Sequence, residues 1–138
     1  MERNNMIIQS GDSAKTVDIG TQDFFFSLYS TIKVRLKRLD DIETAIHFFD
    51  TGICSSYDAL ECARQINLIR DRLSQIPPED AVYDLNDITK KAPWADNISP
   101  TVTSCANLFT TTDGRDLLFE AVSILTYAHY KKVMVSIV

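Results

Sequence analysis

The sequence is poorest in the residues from which recurrent chemical motifs are built: 138 residues include two histidines, three cysteines, four glycines, four prolines and one tryptophan. His47 and His129 belong to no HExxH or related pair, so neither is assigned to a metal, and both are expected on the surface. Cys54, Cys62 and Cys105 are odd in number and form no CxxC pair. That pattern argues against a disulfide framework or a zinc knuckle and suits reduced, structural thiols. The glycines make neither GxGxxG nor a Walker loop, which leaves no phosphate cradle, and no GxSxG elbow marks a nucleophile. No catalytic residue, metal or cofactor is therefore assigned, and no small-molecule substrate is expected.

Nor is there a run of about 18 apolar residues of the kind that crosses a membrane. The opening stretch "MERNNMIIQSGD" lacks the basic region, long apolar stretch and cleavage site of an export signal, so the expectation is a cytoplasmic protein with no membrane partner. The net charge of -5 lacks the basic footprint that displaces phosphate counterions, which argues against nucleic acid and favours a basic partner. Internal repeats and low-complexity linkers are missing too. With 45% hydrophobic and 24% charged residues, the chain has the composition of one domain spanning 1–138.

What is present is periodicity. "NMIIQS" and "KTVDIG", separated by Gly11 and Asp12, read as a strand hairpin. Thr21 is placed to cap a helix with Phe25, Leu28, Tyr29, Ile32 and Leu36 along one face. A second helix over 41–50 buries Ile42, Ala45, Ile46 and Phe49, stops at Gly52, and turns Asp41, Glu43, His47 and Asp50 outward. Ser55 or Ser56 caps the most regular helix, with Ala59, Cys62, Ile66, Ile69, Leu73 and Ile76 in one stripe until Pro77 and Pro78 end it. "AVYDL" and "ANLFTT" read as short strands, with an ordered loop from Asn86 to Pro100 between them. Asp113 is the expected cap of a last helix carrying Leu118, Ala121, Val122 and Leu125, with Asp116 in its first turn, and "KVMVSIV" is the expected interior strand. The fold class is α+β, a small, mostly antiparallel sheet packed with about four helices.

Charge is unevenly placed. Asp40, Asp41, Glu43, Asp50, Asp58 and Glu61 fall in a stretch without a lysine or arginine, and with His47 they form the candidate binding surface for a basic protein. A second acidic group, Glu79, Asp80, Asp84, Asp87 and Asp96, brackets the loop "APWADNIS". Asp84, Asp87, Trp94, Asp96 and Asn97 are its candidate structural motif or alternative interface. A small enzyme or ligand-binding domain using the carboxylates near Trp94 and Asp113 is the competing reading.

"VDIGTQDFFFSLYSTI", "IRDRLSQIPPEDAVYDLNDITKKAPWADNIS" and "LFTTTDGRDLLFEA" together resemble the immunity protein 70 family of bacterial polymorphic toxin systems. The most specific piece is Pro77, Pro78, Asp84, Pro93, Trp94, Asp96, Asn97, Ile98 and Ser99. The resemblance implies a cytoplasmic, non-enzymatic α+β protein that binds and neutralises a cognate toxin's C-terminal domain in a stoichiometric complex, as in contact-dependent growth inhibition. Basic nucleases are frequent toxins of such systems. Between about Lys33 and Ser56 the chain departs from the family pattern with the acidic "LDDIETAIHFFDTGICS", which is therefore the expected determinant of specificity. "APWADNIS" is the expected scaffold signature, with Trp94 packed beneath the loop and Asp96 and Asn97 bonding its backbone.

Overall fold

The computed structural model describes residues 5–138; residues 1–4, where the stretch read for an export signal begins, lie outside the described residues. Strands β1 (Met6–Ser10) and β2 (Thr16–Gly20) form the expected antiparallel hairpin, in which Ile8 faces Val17. The terminal segment forms β4 (Val135–Ile137), which lies between β1 and the short β3 (Ile53–Cys54) in an all-antiparallel sheet of order β2-β1-β4-β3. Alternation decides which face is buried: Ile8, Val17, Ile19 and Val135 join the core, while Gln9, Thr16, Asp18 and Ser136 fall on the other side of the pleat.

Helix α1 (Gln22–Arg35) begins where Thr21 accepts a hydrogen bond from the Phe24 N–H, and it buries Phe25, Leu28 and Ile32. Helix α2 (Glu43–Thr51) buries Ala45, Phe48 and Phe49 and stops at Gly52, whose φ of 75° favours glycine and whose Cβ position lies 3.1 Å from the Ile137 carbonyl, a tight fit for any side chain. Helix α3 (Ser56–Leu73) is capped by Ser55 and presents the expected stripe from Ala59 to Leu73. It ends one turn before the expected Ile76, because the Gln75 and Ile76 N–H groups bond back only three residues, to Arg72 and Leu73, and the Ile76 carbonyl is taken by the Cys105 N–H. Helix α5 (Leu117–Lys131) packs along α3, and these helices cover the buried face of the sheet.

Two expected strands are not strands. Segment 81–85 has no partner strand; instead α1 supplies hydroxyls in place of a ladder. Thr31 Oγ1 accepts from the Val82 N–H at 2.9 Å, Ser27 Oγ donates to the Val82 carbonyl at 2.8 Å, and Ser30 Oγ accepts from the Leu85 N–H at 3.1 Å. "ANLFTT" begins instead as helix α4 (Cys105–Leu108), where Ser104 Oγ accepts from the Ala106 N–H at 3.1 Å and Asn107 Oδ1 accepts from the Ser104 N–H at 3.1 Å, closing a capping box. That short element makes five α-helices among the described residues rather than about four, within the expected α+β class. Asp113 does not cap the last helix. Its carboxylate accepts from Thr111 Oγ1 and from Arg115 Nε at 3.0 Å, holding the turn in which Thr110 bridges Asp116. Asp116 is the cap, accepting from the Phe119 N–H at 3.1 Å.

Cys54, Cys62 and Cys105 are buried and unbridged, as expected of structural thiols, and burial pushes the Cys105 thiol up to about 12. His47 is exposed, but His129 is half-buried, with Nδ1 3.4 Å from the Ser56 carbonyl. No helix among the described residues is long and apolar enough to cross a membrane.

Candidate functional site

The acidic run of the sequence divides in space. Asp40, Glu43, His47 and Asp50 line one open groove of about 470 Å³ with Leu39, Ile46 and, from α1, Lys33. Glu43 and His47 project from the exposed side of α2. The Asp50 carboxylate accepts a 2.7 Å hydrogen bond from the Tyr29 hydroxyl, and partial burial together with that carboxylate pushes the Tyr29 phenol up to about 12. Asp40 accepts from Arg38 Nε at 3.1 Å, both side chains being well exposed, so that pair adds little to stability.

Asp41 does not share the outward face of α2. It precedes the helix, and its side chain, 27% exposed, takes a two-pronged ion pair from Arg72 on α3 whose first contact is 2.8 Å. Arg72 also donates to the Arg38 carbonyl at 3.1 Å, so a single guanidinium clamps the 38–41 connection onto α3. The Arg72 hydrogen bond holds the Asp41 carboxyl down at about 2. A carboxylate depressed in the folded state stabilises it above the unfolded-state pKa near 4, and that contribution disappears as pH falls toward 2. Asp41→Asn is therefore expected to be less stable than the parent at pH 7, with the two unfolding midpoints converging as pH is lowered from 4 to 2. A gap that stays constant over that range would show that the charge of Asp41 is not what the clamp uses.

Asp58 and Glu61 stand apart from the groove, on α3. Asp58 has no ion-pair partner among the described residues, whereas Glu61 accepts from Arg64 Nε at 2.9 Å and from Gln65 Nε2 at 2.7 Å, which lowers its carboxyl to about 2. Gln65 is a structural tie between α2 and α3 that hydrophobic periodicity misses. Its Oε1 accepts the Ala45 N–H at 3.0 Å in the buried seam between α2 and α3, so the Glu61–Gln65 spacing of four residues was the readable signal.

The tryptophan loop is built around rings. Trp94 is half-buried and meets Phe24 edge-to-face at 5.3 Å and Tyr83 at 5.5 Å, which ties the loop to the start of α1. Asp84 and Asp87 do the backbone work, accepting from the Asn86 N–H at 2.8 Å and the Thr89 N–H at 3.2 Å. Asp96 and Asn97 do not bond the loop backbone through their side chains. The Asp96 carboxylate reaches out to Lys91 at 3.4 Å, and Asn97 contributes its own N–H to the Trp94 carbonyl, because the turn at 94–97 closes through backbone alone.

A groove of about 500 Å³ beside Trp94 is lined by Phe24, Tyr83, Thr21, Asp23 and Thr110 among others. Asp23 is the one carboxylate among its described lining residues, while Asp84 and Asp113 are spent on turns, so the acids of the competing ligand-site reading do not converge there. Among the described residues no group of three or more His, Cys, Asp or Glu side chains is arranged to hold a metal ion.

The family model described as Immunity protein 70 matches residues 10–137. Comparison with curated proteins and with solved structures gives no match.

Proposed function

Because the chain belongs to the Immunity protein 70 family, we propose that it is a cytoplasmic, non-enzymatic inhibitor, one domain over 1–138, that neutralises the C-terminal domain of a cognate antibacterial toxin by binding it one to one. The match over nearly the whole chain carries this reading. The toxin is the one encoded beside it in a polymorphic, contact-dependent inhibition system, and protection of the producing cell is the outcome. The surface charge supports a basic toxin domain, such as a nuclease: the groove holding Asp40, Glu43 and Asp50 has Lys33 as its one cation among the described lining residues. Asp58 extends the negative field onto α3, where Glu61 is paired with Arg64, whereas Asp41 acts by holding the groove's entry segment in place.

The test is a titration of the purified toxin domain from the adjacent upstream gene with this protein. Residual toxin activity should fall linearly to an end point at one equivalent. Protection by amounts far below equimolar would overturn stoichiometric inhibition. In the same assay Glu43→Gln with Asp50→Asn should slow association several-fold at low salt and much less at high salt, since exposed charges act mainly on encounter and are screened. Equal association rates at low salt would place the interface away from the α1–α2 groove.

A further inference from the structure

The groove beside Trp94 combines apolar walls with one carboxylate that the fold leaves unpaired. Phe24, Tyr83 and Trp94 line it, and its volume of about 500 Å³ lies within the range of small-molecule sites. The polar groups at its rim are engaged with carboxylates of the protein itself: Asn5 Nδ2 and Thr112 Oγ1 donate to Asp18, and Thr111 Oγ1 donates to Asp113. Asp23 differs from these. It lines the groove from the first turn of α1, is exposed, and has no ion-pair partner among the described residues. Burial and the Asp23 carboxylate together push the Tyr83 phenol up, which sets Asp23 beside that ring.

Charge and shape select the occupant together. No lysine or arginine is among the described lining residues. Of the neighbouring cations, Lys90 stands over the Tyr83 ring at 5.6 Å without lining the groove, and Arg115 is paired with Asp113 and Glu120. Asp18, held by two lining residues, adds a second carboxylate at the rim. An anion would meet Asp23 with no cation to receive it, and a polyol would find most of the rim donors engaged. A cation on a short alkyl stem suits the groove, since the carboxylate accepts its N–H groups while the rings cover the stem. We propose that this groove is a binding site for a small alkylguanidinium or alkylammonium ion, with Asp23 as its anchor and Phe24, Tyr83 and Trp94 as its walls. The site is separate from toxin recognition and does not rest on the inhibitor reading.

The probes are n-butylguanidinium and n-butylurea, which share a shape and differ in charge. The emission of Trp94, the only tryptophan, reads both titrations on the full chain. Butylguanidinium should give a saturable change with a Kd on the order of 1 mM, as befits so small a ligand, and butylurea should bind about fivefold more weakly or worse. Asp23→Asn should bring the cation down to the level of the urea. Butylurea should bind that variant as it binds the wild type, which shows the groove intact. A cation that fails to saturate the wild type up to about 20 mM, equal binding of the two probes, or a preference for the cation that survives in Asp23→Asn overturns the site. Displacement of bound butylguanidinium by the adjacent-gene toxin domain would assign the groove to a basic side chain of the toxin and overturn a site for a free cation.

Discussion

Phe48→Ala is expected to destabilise the protein by about 3–5 kcal/mol, the range for removing a large aromatic ring from a packed interior. Phe48 is buried and absent from the helical stripe drawn through Ile42, Ala45, Ile46 and Phe49, yet its ring lies 5.8 Å from that of Phe49, which in turn meets Phe25 of α1 edge-to-face at 5.6 Å. Helix α2 has nine residues, too few to hold a helix in water alone, so docking through Ala45, Phe48 and Phe49 is what keeps it formed. The acidic groove depends on that docking, since Glu43, His47 and Asp50 all project from α2. Thermal unfolding should show a fall in midpoint on the order of 10–20 °C, and Phe48→Leu should lose much less. A shift corresponding to under about 1 kcal/mol would mean that α2 does not rest on the core as described.

The elements legible in the sequence were those whose partners are repetitive. The hairpin, α1, α3, α5 and the interior position of β4 follow from alternation and three- and four-residue spacing, because each buries a continuous stripe. Segment 81–85 departs from its strand-like pattern for a definite reason. "AVYDL" has the composition of a strand, but its backbone partners are the hydroxyls of Ser27, Ser30 and Thr31, about fifty residues earlier, and such pairing leaves no local pattern. The hydroxyls themselves were the sign, being small polar groups on the buried side of an otherwise apolar helix. The turn at 110–116 misled in a similar way: Asp113 and Asp116 both suit a helix cap, and the choice between them is made by Thr111 and Arg115, which occupy Asp113.

The candidate site was legible as charge and not as charge pairing. A stretch without lysine or arginine in sequence is not one without them in space, because Arg38, Arg72 and Arg64 reach in from its borders and Tyr29 reaches in from α1. That folding converts Asp41 from a surface charge into a clamp and leaves Glu43, His47, Asp50 and Asp58 as the members whose side chains carry no ion pair among the described residues, Asp50 being hydrogen-bonded to Tyr29.

Trp94→Ala is expected to act on stability and to leave toxin binding intact at temperatures well below its lowered midpoint. The ring is half-buried, so the loss should lie toward the lower end of the range of about 3–5 kcal/mol for large aromatic truncations. Much of it comes from the edge-to-face contacts with Phe24 and Tyr83, each pair being worth about 0.5–1.5 kcal/mol beyond the area it covers. Phe24 also touches Phe109 at 5.4 Å, so removing the indole loosens a chain of rings joining the 86–100 loop, the start of α1 and the segment after α4. Trp94→Phe should restore most of the loss. As the only tryptophan, Trp94 also reports on its own loop: fluorescence and far-ultraviolet circular dichroism should give coincident unfolding transitions if the loop melts with the body. An earlier fluorescence transition would show the loop opening by itself, and an unchanged midpoint with lost toxin binding in Trp94→Ala would make the indole a contact residue rather than part of the scaffold.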